Sequence, residues 1–128
     1  MKKLLLIPML LITSFCFSQD AKEIIGKPVK IGNLLVAEND FPESMEFYKT
    51  KKALSILGKG WRLPTKSELN LLYKNKEKIG GFGDENRYWS STMNNRWVWS
   101  QYFGNGSIGQ DGKTVTEYYV RAVKTFIK

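Results

Sequence analysis

Gly60-Trp61-Arg62-Leu63-Pro64-Thr65-Lys66-Ser67-Glu68-Leu69 is the stretch that decides the fold. Pro64 fixes its own φ and keeps Leu63 out of the helical region, so no helix runs through this point. Thr65 followed three residues later by Glu68 is a capping box, which starts a helix at Lys66. Leu69, Leu72, Tyr73 and Ile79 then fall on one face. Lys74, Lys76 and Lys78 lie towards the C-terminal end, where the helix dipole favours cations, and Gly80-Gly81 closes the element. Just before the corner, Trp61 is expected to plug the core. Arg62 is expected to bond nearby carbonyls or a carboxylate while its stem covers apolar surface. A ligand platform is the alternative for the same two residues.

Upstream, residues 19–28 form a short polar lead. Val29 to Val36 has strand character, interrupted by Gly32-Asn33 as a turn or bulge. Asp40-Phe41-Pro42-Glu43-Ser44 is a helix entry with Ser44 or Asp40 as cap. Phe47, Thr50, Ala53, Leu54 and Leu57 then make a helical stripe that ends at Gly58, a suitable left-handed residue. Downstream the period shortens to two. Arg87 to Met93 is a strand, Asn94-Asn95 a turn, and Arg96 to Phe103 a strand. That strand carries Trp97, Trp99, Gln101 and Phe103 on one face and Val98, Ser100 and Tyr102 on the other. Gly104-Asn105-Gly106 is a turn and residues 107–113 a Gly-rich loop. Val115 to Ile127 is the closing strand, with Tyr118, Val120, Ala122 and Phe126 on one face. A strand, two helices and then strands give an α+β fold with an antiparallel sheet.

The first residues have the pattern of an export signal: a basic start at Lys2 and Lys3, an apolar run from Leu4 to Phe17, and small residues before Gln19. Residues 1–18 are the expected signal peptide. A retained anchor and a lipoprotein lipidated at Cys16 are the alternatives. Cleavage removes two lysines and 18 residues, leaving 110 of the 128 and a net charge of +6 in place of +8. That is one small domain, residues 29–128 after the lead, with no transmembrane segment and a secreted or periplasmic destination. Cys16 is the only cysteine and there is no histidine. The mature domain therefore has no disulfide, no thiol nucleophile, no imidazole base and no His/Cys zinc site. Packing must hold it, and the aromatic residues, 17 in the full chain, are the means.

Three ordered blocks carry a family likeness. They are Gly58-Lys59-Gly60-Trp61-Arg62-Leu63-Pro64-Thr65 with Glu68-Leu69, Tyr88-Trp89-Ser90-Ser91-Thr92, and Tyr119-Val120-Arg121-Ala122-Val123. Together, and with Ile31 to Pro42 as the opening strand, they resemble the Fibrobacter succinogenes major paralogous domain over roughly residues 29–126. That family in turn is similar to the C-terminal domain of the Legionella collagen-like adhesin. The resemblance implies a compact C-type lectin-like fold. Two helices pack on a small twisted antiparallel sheet whose first and last strands pair. Trp61, Arg62, Pro64, Thr65, Glu68, Trp89 and Arg121 would be its structural motif. It also implies small exported proteins, some of them adhesive or ligand-binding tips. Formylglycine-generating enzymes share the wider fold but need paired cysteines and copper, which this chain cannot supply. The Glu-Pro-Asn and Trp-Asn-Asp type motifs of calcium-dependent lectins are absent. Only Met93 to Arg96 stand where such lectins have a long loop.

The remaining candidates come from residue chemistry. Asp84-Glu85-Asn86 has three adjacent oxygen-bearing residues that could meet calcium, against a plain solvated turn. No other cofactor is indicated. Asn94, Asn95, Arg96, Tyr102 and Asn105 make a polar edge of turn amides beside an aromatic face, the expected small-ligand surface. Trp89, Trp97 and Trp99 are expected in the core, with stacking on sugar rings as the alternative. Ser90-Ser91-Thr92 lacks both a histidine and a Gly-x-Ser-x-Gly elbow, so its hydroxyls are expected to bond backbone. Lysines 49, 51, 52, 59, 66, 74, 76 and 78 either solvate the helices or form a face for polyanions. The expected function is a non-enzymatic ligand-binding or adhesion module for a saccharide or acidic surface polymer, with no nucleic-acid partner. The alternatives are an interaction module for another exported protein and an unrecognised metal-dependent enzyme.

Overall fold

The computed structural model describes residues 20–114 and 116–127. The expected signal segment 1–18 and the expected start of the closing strand at Val115 lie outside the described residues. The first sheet holds β1 (Val29–Ile31), β2 (Leu34–Val36) and β6 (Val123–Thr125) in the order β1-β2-β6. The strand expected over 29–36 is thus a hairpin, with Val29 opposite Val36. Its second arm pairs antiparallel with the closing strand, Val36 opposite Val123, so the two ends of the fold meet. The second sheet is the antiparallel set β3 (Arg87–Met93), β4 (Trp97–Tyr102) and β5 (Ile108–Gly112). Among the described residues no helix is long and apolar enough to cross a membrane.

Two substantial helices accompany the sheets: α1 (Phe47–Ser55) and α2 (Lys66–Lys74), with the short α3 (Lys76–Ile79) continuing α2. α1 starts from Glu46 without a side-chain cap. Neither expected cap serves it. Ser44 Oγ lies 3.5 Å from Glu117 Oε1, and Asp40 faces Tyr88 and Arg121. Packing, rather than a terminal hydrogen bond, places this helix. α2 starts where Thr65 and Glu68 predict, with both halves of the capping box formed.

The core has two compartments, divided by the period-two alternation of β3. Tyr88 and Trp89 are both fully buried but point to opposite sides. Trp89 joins Leu54, Leu57, Leu63, Val98, Val120 and Ala122, and its indole N–H donates to Met45 O at 2.8 Å. Tyr88 joins Leu69, Leu72, Phe103, Val36 and Val123. At about 25 cal/mol per Å² of apolar surface, side chains of this size dominate the stability of a domain with no disulfide.

Three expectations change. Residues 107–113 include a strand, β5, because β4 presents a full row of backbone groups to that side. Gly109 lets Arg87 approach, for a Cβ there would stand 3.2 Å from Arg87 Nη1. The polar lead contains a helical stretch, residues 20–25, and it buries Ile24 in the first compartment. The long closing strand is extended chain that changes partner as it crosses between the sheets. It meets Met45 at Tyr118, Tyr88 at Tyr119 and Arg62 at Val123, so only three residues form a ladder. Val120 and Ala122 face inward as expected with Tyr118 against them, but Phe126 lies past the core under Lys30 Nζ at 4.5 Å.

Candidate functional site

The Trp61–Glu68 corner is built as a joint. Arg62 grips Glu68 with two nitrogens, Nη1–Oε1 at 2.7 Å and Nη2–Oε2 at 3.1 Å. It also donates to Leu63 O and Thr125 Oγ1. The hydrogen bond from Arg62 holds the Glu68 carboxyl below the usual carboxylate range. A bulge in β3 between Trp89 and Met93 releases Ser91 from the ladder, and its N–H donates to Pro64 O at 2.8 Å. Thr92 Oγ1 accepts from Lys66 N at 2.8 Å, and Ser90 Oγ donates to Trp99 O at 2.7 Å. The Ser90 and Thr92 hydroxyls therefore satisfy backbone groups, as expected, and Arg62 does the carboxylate and carbonyl work expected of it. Trp61 does not plug the core. It is half-buried and packs on the first compartment from outside, with Lys124 Nζ 5.8 Å from its ring centre.

Arg121 is the buried counterpart of Arg62. It has no exposed surface, donates from Nε to Asp40 Oδ1 at 2.8 Å, and from Nη1 to Ala37 O and Gly80 O. Its guanidinium lies 3.9 Å from the Phe82 ring centre. Nη2 has no hydrogen-bond partner among the described residues. Gly81 leaves room for it, since a Cβ there would come within 3.0 Å of Nη2. Asp40 also accepts from the Tyr88 hydroxyl at 2.6 Å. Burial raises the Asp40 carboxyl against the pull of Arg121, and burial likewise pushes the Tyr88 phenol up.

The sequence-based ligand candidates do not come together. Asp84 and Glu85 are exposed in a turn and Asn86 is half-buried beside them. Among the described residues no three His, Cys, Asp or Glu side chains converge as a metal would need. Asn94 closes its own hairpin by accepting from Trp97 N, and Asn105 closes the next by accepting from Ser107 N. With Asn95 and Arg96 the first turn stands at the start of β4. Asn105 and Tyr102 stand at its end, about 17 Å away at ~3.3 Å per residue. One polar edge is therefore two separate hairpin tips.

Two surfaces carry exposed aromatics. On β4, Trp97, Trp99 and Gln101 share a face, but α2 covers only part of it. Gln101 is buried and donates to Asn70 Oδ1 on α2. Trp99 is half-buried under Lys66 Nζ, 3.6 Å from its ring centre, and Trp97 is 47 % exposed beyond the helix end. The expectation of buried Trp97 and Trp99 fails because the strand outruns its helix. Opposite them on β5 are Gly112 and Gln110. The second surface is a groove of about 450 Å³ between α1, the Trp61 corner and the end of β3. Phe47, Leu54, Trp61 and Met93 line it, with Tyr48 on its rim. Tyr48 and Met93 escaped the sequence reading. The available signal was that Tyr48 is an aromatic off the α1 stripe.

The family model of the Lcl C-terminal domain matches residues 20–124. The chain belongs to this family. The match starts at the helical residues 20–25 and ends in β6, so it spans both core compartments. The Lcl C-terminal domain is a domain of an adhesin-like protein, from the collagen-like protein of Legionella. No curated protein matches the chain. The joint at Arg62–Glu68, the buried Trp89 and the Arg121–Asp40 pair are how this Lcl C-terminal domain fixes its scaffold, leaving the two aromatic surfaces open.

Proposed function

We propose that this Lcl C-terminal domain is an exported, non-enzymatic adhesion module that binds a saccharide or an acidic surface polymer. The observation that carries the reading is the uncovered end of β4. Trp97 offers a ring face for stacking, and the Gln110 amide and Lys66 ammonium flank the same sheet face. Arg96 and Asn95 extend it from the adjoining turn. A ring face bordered by amides and cations suits a pyranose, whose C–H surface stacks and whose hydroxyls or carboxylates bond at the edge.

The basic, apolar opening of the sequence supports action outside the cytoplasm. The missing histidine supports a non-enzymatic role, as does the occupation of the Ser90 hydroxyl by a backbone carbonyl. Glycan-array binding at physiological salt, followed by titration of Trp97→Ala, tests the proposal. The variant is expected to keep its melting temperature and lose at least about tenfold in affinity, as for an aromatic anchor. Equal binding by Trp97→Ala, or no glycan bound at all, overturns it.

A further inference from the structure

The groove beneath α1 has a chemistry different from the β4 face. Its floor and walls are apolar: Phe47, Leu54, Leu63, Trp61 and Met93. Two of its four hydroxyls are already committed, with Thr50 Oγ1 donating to Phe47 O at 2.7 Å and Ser55 Oγ to Lys52 O, and the other two are those of Ser91 and Tyr48. A saccharide entering here would find few donors to replace its water, and each unpaired hydroxyl would cost on the order of 1–3 kcal/mol. An apolar side chain loses nothing by the same exchange. Met93, 50 % exposed, and Tyr48, 64 % exposed, stand at the mouth, one adaptable and one a rigid amphipathic anchor.

The charge at the groove has one sign. No carboxylate lines it, and its charged residues are Lys51 and Arg62. Arg62 is held by Glu68, whereas Lys51 has no ion-pair partner among the described residues. Lys124 Nζ lies 5.8 Å from the ring centre of Trp61, which lines the groove. Lys59 stands between Gly58, which lines the groove, and Gly60.

We propose that this groove docks an acidic protein segment that inserts one leucine or phenylalanine among its carboxylates. The inserted side chain fills the space between α1 and Trp61, and the flanking carboxylates meet Lys51, Lys59 and Lys124. Such cationic rims speed encounter and select sign, while the anchor sets the lifetime.

The test titrates the full chain with a synthetic peptide of aspartates and glutamates around a single phenylalanine. Amide shifts and calorimetry are the readouts. Shifts are expected along α1, at residues 58–63 and at 91–93. Phenylalanine-to-serine replacement in the peptide, Met93→Asp and Lys51→Glu in the protein are each expected to weaken binding about tenfold or more. Both protein variants change exposed side chains, so their thermal melts should match the parent, and Trp97→Ala should leave peptide affinity unchanged. Absence of groove shifts at saturating peptide overturns the proposal. So does dextran sulfate binding the groove as well as the peptide does with no dependence on Met93, which would make the site a polyanion surface.

Discussion

Two arginine–carboxylate pairs hold this domain, and they are nearly the same bond in different surroundings. Arg62–Glu68 closes at 2.7 Å with side chains 37 % and 24 % exposed, while Arg121–Asp40 closes at 2.8 Å with side chains 0 % and 14 % exposed. The surface pair belongs to a joint whose other parts, the Thr65 cap and the Ser91–Pro64 bond, share the work. The buried pair is where Ala37, Gly80 and Asp40 converge on one guanidinium, while the Tyr88 hydroxyl donates to the other Asp40 oxygen. Water screens the first and competes for its partners, so its net worth is small. Nothing replaces the second once a partner is removed.

The largest expected effect follows from that contrast. Arg121→Ala leaves Asp40 and two carbonyls without their donor in the interior, a loss of about 3–5 kcal/mol. Domains of this size have only about 5–15 kcal/mol in total, so the variant should be largely unfolded on mild urea addition. A cost under ~1 kcal/mol by chemical denaturation would break the comparison. Trp61→Ala comes next. Because the ring is half-buried, the expected cost is about 1–2 kcal/mol with the fold retained, well below a core tryptophan deletion at about 3–5. Unfolding of this variant would return Trp61 to the core role that its sequence context suggests.

Thr65→Ala removes one half of the capping box and should cost about 1 kcal/mol, read as a lower urea midpoint with unchanged slope. Arg62→Ala should cost well under ~1 kcal/mol from the ion pair itself, given its exposure.

The smallest effect is in pH dependence, and here the two pairs differ in sign. Glu68 is held below its ordinary value of 4.5, so its contribution is full above that pH and is lost as pH falls through the lowered folded value. Asp40 is raised above 3.8 by burial. Its contribution is full below that value and is lost as pH rises through the folded one. Stability curves of Glu68→Gln should therefore be flatter than the parent below about pH 4.5. Those of Asp40→Asn should lack a shallow opposite slope. Curves of the same sign for both would show that burial does not dominate at Asp40.

Much of the scaffold was legible because its signals are local. The Thr65–Glu68 box, the Pro64 stop and the Arg62 fork each need only neighbours within a few residues, and all three occur as their spacing demands. The period-two pattern also placed Tyr88 and Trp89 in a strand. What it left open was which side each alternation faces and how far the cover extends. Trp97 and Trp99 have the alternation of a covered face, yet α2 begins only at Lys66 and the strand extends beyond that end of it. β5 was hidden by its glycines. The closing segment looked like one long strand because alternation survives while partners change.

The sequence by itself determined the α+β order, the corner and its cap, and the membership of the family. It also determined the exclusion of imidazole chemistry, since there is no histidine. These depend on residue type and short spacing, which fold any chain the same way locally. The tertiary structure alone decided that Arg121 is the buried knot, that Trp61 stands at a groove, and that the two amide turns lie at opposite ends of β4. Burial and juxtaposition come from elements far apart in the chain meeting across the core, and no local spacing encodes where a helix stops covering a sheet.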